Sequence, residues 1–250
     1  LSNVGEGEGW HVFGLLPSEV VLRPSGKNNL RELYLMRDDV AGFIEGGSSL
    51  REIELAELTE VRGRALLHLQ CHFGLDTLSW ARRGARVTGV DLSPVAIAQA
   101  RELADRCGIE ATFLCDDVLG FGARHDTQYD VVYTSYGAVC WLSDITEWAR
   151  TVARCLKPGG VFYMAEFHPV HELLSGCGYF HRPQPDVDEE GTYTDGEAVV
   201  ARMAVWNHPV SDVLTALIAA GITLEFVHEF PFSPYDCFEG LVEREPGRFV

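Results

Sequence analysis

One stretch of the chain, Leu66 to Asp91, constrains the fold more than any other. It opens with LLHL, a short run with the length of a buried parallel strand. After a tight turn, the spacing of apolar residues predicts a helix over 75–83, which Gly84 ends. A second apolar strand over 86–90 leaves Asp91 at its tip. Strand, turn, helix, strand and terminal acid predict a βαβ unit that binds a nucleoside, with the acid on the ribose hydroxyls.

The turn of this unit departs from the glycine pattern of dinucleotide-binding proteins. In G-x-G-x-x-G the glycines let the backbone approach a pyrophosphate, but the matching positions here are Gln70, His72 and Leu75. A nucleoside without phosphates needs less of that close approach. S-adenosylmethionine is such a ligand, and its carboxylate can use the backbone amides of the helix N-terminus near Gly74.

The composition argues against several other classes of protein. The chain has 250 residues, 46% of them hydrophobic, which predicts one main domain with elaborations. A net charge of −17, without a run of Lys or Arg, argues against a nucleic-acid partner. Seven scattered cysteines without a C-x-x-C pair predict a reduced, cytoplasmic protein with no zinc site. No apolar stretch reaches transmembrane length and the N-terminus lacks a signal-peptide pattern, so we expect no membrane association.

Strands and helices alternate along the rest of the chain, which predicts a mostly parallel α/β sheet with helices on both faces. Further strands are predicted at 111–115, 129–133, 161–166 and 222–230. Ligands of such sheets bind outside the C-terminal ends of the strands. We expect residues 1–45 to form an N-terminal cap or lid and 46–250 to form the main domain. An insertion at about 168–206, rich in Pro, Gly, acids and aromatics, is predicted to be a lid over the substrate.

Four segments together resemble a known family: LLHLQCHFG, VTGVDLSP, CDDV and LKPGG. In combination they are similar to the class I S-adenosylmethionine-dependent methyltransferases of the small-molecule type. The run LHLQCHFGLDTLSWARRGA in particular is similar to a bacterial branch whose members are mostly of unknown substrate. The resemblance implies a Rossmann-like sheet of seven strands in the order 3-2-1-4-5-7-6. After Phe230 the sequence shows no convincing seventh strand.

The resemblance also implies which residues hold the cofactor, S-adenosyl-L-methionine. Asp91 would bind the ribose hydroxyls, Leu92 would pack on the adenine, Asp117 would accept from the adenine amino group, and the Val118 amide would meet the ring. Thr134 and Ser135 would hold the methionine end through backbone groups. The turn residues expected at the cofactor are Gln70, His72 and Gly74.

Three positions depart from the family pattern. His68 stands where the family has an acid, and Gln70 and His72 stand where it has glycines. The burial pattern predicts that His68 is a hydrogen-bonded core residue. If His72 contacts the cofactor carboxylate, affinity should fall as pH rises through its pKa.

Methyl transfer to a hydroxyl or a ring carbon also requires a base that removes a proton. His168, at the end of the predicted fifth strand, is the first candidate, followed by His208 and Tyr136. The methyl acceptor is predicted to be a small, neutral or cationic, partly apolar molecule, attacking through nitrogen, oxygen or activated carbon. Two alternatives remain open here: a catalytically silent cofactor-binding relative, and an NAD-type oxidoreductase, against which the turn residues argue.

Overall fold

A computed structural model of the chain describes residues 40–170, 173, 178–191, 200–235 and 241–250. The N-terminal cap predicted over 1–45 therefore lies outside the described residues, apart from its last part, 40–45. The helices are α1 (Val40–Ile44), α2 (Glu52–Glu57), α3 (Leu75–Arg82), α4 (Pro94–Cys107), α5 (Phe121–Arg124), α6 (Ile145–Cys155) and α7 (Val210–Ala219). The strands are β1 (Ala65–Leu69), β2 (Arg86–Asp91), β3 (Thr112–Cys115), β4 (Tyr129–Thr134), β5 (Leu156–Met164), β6 (Asp186–Gly191), β7 (Val200–Val205), β8 (Glu243–Glu245) and β9 (Arg248–Phe249).

Local sequence signals set several helix ends. The Ser93 side chain accepts from the Ala96 amide at the start of α4, and Pro94 occupies the first helical position. Gly108 ends α4 in the left-handed conformation. Asp144 caps α6 by accepting two amides of its first turn. These residues fix both ends of α4 and the beginning of α6.

Within the described part of the chain, the central sheet has five strands in the order β3-β2-β1-β4-β5, all parallel. In its register His68 lies opposite Gly89 on β2 and Tyr133 on β4. Because the strands are parallel, their carboxyl ends share one edge of the sheet. This edge is the one at which ligands of open α/β sheets bind.

Both faces of the sheet are packed, as the continuous apolar strands predict. Leu67 and Val132 face a cluster that includes Trp148 of α6 and Leu217 of α7. Leu66 on β1 faces the other way, as the two-residue period of a strand requires. Its cluster contains Leu50, Leu58, Val61, Trp80, Ala85, Val87, Val131, Tyr133, Tyr163 and Ala165.

The structure corrects one predicted strand. Residues 222–230 form no strand among the described residues, so the sheet there has five strands and not the seven that the resemblance implies. Leu224, Phe226 and Phe230 remain 43–47% exposed. Apolar alternation can define the face of a strand, but a strand also needs a neighbour for its backbone hydrogen bonds, and no described strand pairs here.

The described residues of the insertion at 168–206 lie outside the central sheet. They include the separate two-stranded antiparallel sheet β6-β7, in which Asp186 pairs with Val205. The structure does not test its predicted role as a lid. Among the described residues, no helix is long and apolar enough to cross a membrane.

Candidate active site

The turn after β1 has an unusual backbone. Gln70 and His72 adopt positive φ angles of 58° and 51°, a conformation that non-glycine residues rarely take. Gly74 has φ 85°, and an added Cβ would lie 2.8 Å from the Phe113 ring, so this position requires glycine. Cys71 is buried in the core between Gln70 and His72. The Gln70 side chain donates to the Ala138 carbonyl at 2.6 Å, which joins the turn to the loop after β4.

Asp91 anchors the same turn from the tip of β2. One carboxylate oxygen accepts from the His72 amide at 2.8 Å, and the other accepts from the Ser93 amide at 2.8 Å. Burial raises the pKa of Asp91, and these amide hydrogen bonds lower it in part. A carboxylate has about four acceptor positions, so Asp91 keeps acceptor capacity for a further donor such as a ribose hydroxyl.

The ends of β2 and β3 come together around the residues predicted to meet the adenine. The Cys115 thiol at the end of β3 donates to the Leu92 carbonyl at 3.4 Å. Asp117 accepts from the Leu119 amide at 2.7 Å, which closes a short side-chain turn. Burial raises the pKa of Asp117. The Val118 side chain is buried in the core, so its backbone amide is the part of this residue that a ligand can use.

Thr134 and Ser135 lie at the end of β4, beside the end of β1. The Thr134 hydroxyl is buried and has no hydrogen-bond partner among the described residues. Ser135 Oγ lies 3.2 Å from His68 Nε2, and His68 Nδ1 lies 2.8 Å from Thr77 Oγ1 on α3. His68 is 1% exposed, which confirms the prediction of a hydrogen-bonded core histidine. Burial lowers its pKa to about 4.

Glu166, just after β5, shapes the loop that follows β4. Its carboxylate accepts from the amides of Gly137 and Phe167, and from those of Ala138 and Val139 at 2.9 Å. Burial raises its pKa, and these four amides lower it in part. The sequence around Glu166 carries no signal for these contacts, because three of the four amides lie 27–29 residues away along the chain.

The three candidate bases lie in different surroundings. His168 is 40% exposed and lies 2.7 Å from Glu229, in the segment 222–230. His208 is buried, and its Nε2 lies 2.7 Å from the Leu142 carbonyl; burial lowers its pKa. Tyr136 lies directly after Ser135 and donates its hydroxyl to Glu54 at 3.1 Å. Of the three, Tyr136 is next in sequence to the residues expected to hold the methionine end.

The residues at this edge fit S-adenosylmethionine. A carboxylate with spare acceptor capacity lies at the tip of β2, and a buried hydroxyl without a partner among the described residues lies at the tip of β4. Asp91 would hold the ribose, Asp117 and the Val118 amide the adenine, and Gln70, His72, Gly74, Thr134 and Ser135 the methionine end. No described group of His, Cys, Asp and Glu side chains could hold a metal ion.

Comparisons with known proteins agree with this geometry. Residues 66–160 match a family model described as a methyltransferase domain. A ubiquinone biosynthesis O-methyltransferase of Xanthomonas euvesicatoria pv. vesicatoria is 28% identical over 181 residues, 70% of this chain and 70% of that protein. The protein of that name from Klebsiella pneumoniae subsp. pneumoniae is 35% identical over 102 residues, and the match spans only 42% of its length and 40% of this chain.

Solved structures lead to the same family. An S-adenosylmethionine-dependent methyltransferase from Mesorhizobium loti is 27% identical, with a TM-score of 0.53 over 75% of this chain and 86% of that chain. The five-strand order and the position of Asp91 at the tip of β2 are those that the sequence resemblance implied. The family match over residues 66–160 and the fold of the central sheet both support a class I S-adenosylmethionine-dependent methyltransferase.

Proposed function

We propose that this protein transfers the methyl group of S-adenosylmethionine to a small, partly apolar molecule. The observation that carries the proposal is the carboxylate of Asp91, fixed at the tip of β2 by the amides of His72 and Ser93. It lies at the carboxyl edge of a parallel sheet, where a nucleoside binds. The acidic composition and the aromatic residues of the insertion favour a neutral or cationic acceptor.

We further propose that the atom methylated is a hydroxyl oxygen of the acceptor. The Xanthomonas and Klebsiella relatives are named O-methyltransferases, which favours a hydroxyl oxygen over nitrogen or carbon. When bound, S-adenosylmethionine supplies a methyl group on a positively charged sulfur. The protein's own task is then to orient the two reactants and to exclude water from the site.

Calorimetric titration with adenosylhomocysteine tests the cofactor site. Asp91→Asn keeps the shape of the side chain but removes its charge, and a charge-assisted hydrogen bond contributes about 1.5–3 kcal/mol. We therefore expect the dissociation constant to rise more than tenfold. Asp130→Asn is the matched control, because Asp130 accepts from the Ala65 amide at the opposite end of the sheet. Equal affinities for the wild type and Asp91→Asn, with both folded, would exclude Asp91 from the site.

A catalytically silent relative is the second candidate, and one observation favours it. Gln70 and His72 occupy positions where methyltransferases of this type usually have glycine. Incubation with methyl-labelled S-adenosylmethionine and a metabolite extract separates the two functions. Transfer of label to any small molecule excludes the silent relative, whereas tight adenosylhomocysteine binding without transfer supports it.

A further inference from the structure

A buried acid lies behind the loop that carries Ser135 and Tyr136. Glu54, on α2, is 0% exposed, although it belongs to a residue type that is almost never fully buried without partners. One of its oxygens accepts from the Arg51 amide at 2.9 Å, and the other accepts from the Tyr136 hydroxyl at 3.1 Å. The Tyr136 hydroxyl thus links a buried carboxylate to the loop at the carboxyl end of β4.

The position of Tyr136 suits a group that exchanges a proton with a bound acceptor. It follows Ser135, which is expected at the methionine end of the cofactor, where the reactive methyl group lies. It also lines one end of a cavity of about 1650 Å³ that continues along β5, together with Phe167 and His168. His168 is paired with Glu229, and His208 with the Leu142 carbonyl.

Two aromatic rings pack against the Tyr136 ring. The Tyr136 ring lies 5.4 Å from the Phe167 ring and 5.2 Å from the Tyr235 ring, centroid to centroid. The Arg51 guanidinium lies 4.2 Å from the centre of the Tyr235 ring. A flat aromatic acceptor can pack against such rings while presenting a polar group to Tyr136.

We infer that Tyr136 and Glu54 form a proton relay that accepts the proton of a phenolic hydroxyl during methyl transfer. This inference rests on the function proposed above and assigns the acceptor class for the same site. The acceptor oxygen forms a bond to the methyl carbon while the sulfur–methyl bond breaks and leaves its electron pair on sulfur. The phenolic proton passes to Tyr136 Oη, and the Tyr136 proton passes to Glu54 Oε2. After the product leaves, the proton returns to solvent through Tyr136.

The surroundings of Tyr136 and Glu54 favour Tyr136 as the proton donor and Glu54 as the proton acceptor. Burial raises the pKa of Tyr136, so the free hydroxyl stays protonated and donates. Burial also raises the pKa of Glu54, which makes it a stronger base than an exposed carboxylate, and the Arg51 amide and Tyr136 hydroxyl oppose the shift. The other titratable or charged groups facing the relay are Asp76, Tyr133, Tyr163, Tyr235, Glu57 and the Arg51 side chain.

Methylation of two phenols by the full chain tests the relay. Phenol itself has a pKa of about 10, like tyrosine, and needs a base at neutral pH, whereas 4-nitrophenol is far more acidic and is largely ionised at pH 8. We expect Tyr136→Phe to lower kcat for phenol about 100-fold or more and to change kcat for 4-nitrophenol less than about threefold. Glu54→Gln should show the same difference between the two phenols.

The control separates the relay from simple packing. Tyr163→Phe removes a second tyrosine–glutamate bond to α2, the 2.8 Å bond from the Tyr163 hydroxyl to Glu57, and should change neither rate. Tyr136→Phe keeps the ring, so its affinity for adenosylhomocysteine should match that of the wild type.

Each other outcome has a definite meaning. Equal losses for both phenols, or no loss with phenol, would overturn the relay. A wild type that binds adenosylhomocysteine but methylates neither phenol would overturn the assigned acceptor class. A wild type that does not bind adenosylhomocysteine would instead refute the function on which the relay rests.

Discussion

Acidification should reveal that His68 is buried in its neutral form. Its ring is 1% exposed, and burial lowers its pKa from 6.5 to about 4. Between these two values the unfolded chain binds a proton at this position and the folded chain does not. The free energy of unfolding therefore falls as pH falls from 6.5 towards 4. The stability of the fold with neutral His68 is fully retained only above pH 6.5.

The size of this effect follows from the shift. One pKa unit corresponds to about 1.4 kcal/mol, so the full shift amounts to about 3 kcal/mol below pH 4. Between pH 7.5 and pH 5 the loss amounts to about 2 kcal/mol. The buried acids Glu54, Asp91 and Glu166 have raised pKa values and so favour the folded state on acidification. The contribution of His68 must therefore be measured as a difference between two proteins.

Urea denaturation of the wild type and of His68→Asn at both pH values isolates this difference. Whatever cavity the substitution leaves affects both pH values equally and cancels. We expect the wild type to lose about 2 kcal/mol more than the variant between pH 7.5 and pH 5. Thr77→Val should keep the wild-type pH dependence, because burial and not the Thr77 hydroxyl causes the shift. Equal losses in the wild type and His68→Asn would refute the assignment of a neutral buried His68.

Two further predictions concern the cofactor and the insertion. Burial lowers the pKa of His72 to about 4. The wild type and His72→Asn should therefore show the same pH profile of adenosylhomocysteine affinity between about pH 5.5 and 8.5 in calorimetric titrations. An additional pH-dependent step in the wild type would contradict this prediction. When adenosylhomocysteine and an acceptor are bound, the backbone amides of residues 178–191 and 200–206 should exchange their hydrogens more slowly, as measured by mass spectrometry. Unchanged exchange rates would argue against a substrate lid.

The sequence predicted the parts of the fold that depend on local pattern. The run LLHL, the helix after Gly74 and the strand before Asp91 each carry their own signal, and the order of these elements implies a parallel sheet. The segment 222–230 shows the limit of such signals. Its apolar spacing is suited to a strand, yet in the structure it forms no strand, because pairing depends on a neighbour that the segment itself does not encode.

Site residues that directly follow a strand could be predicted from the sequence. Residues whose partners are distant in sequence could not. Asp91 was identifiable from its position after β2. Glu54 falls at helical spacing with the apolar residues of α2, but its bond to Tyr136 spans 82 residues. The sequence around Gly89 carries no signal of its tight packing under the turn, although an added Cβ there would lie 2.8 Å from Cys71 Sγ. Such close approaches are known only once the strands are packed.

The turn after β1 lacks the usual glycines, and hydrogen bonds from the ends of neighbouring strands hold its backbone instead. A non-glycine residue in the left-handed region costs about 1–3 kcal/mol, and Gln70 and His72 both lie there. Asp91 holds the His72 amide from β2, and Gln70 reaches the Ala138 carbonyl in the loop after β4. The Ala138 amide in turn donates to Glu166 after β5. Because one chain of hydrogen bonds joins the ends of four strands, the turn is held in its strained shape before a ligand arrives, which lowers the entropic cost of binding.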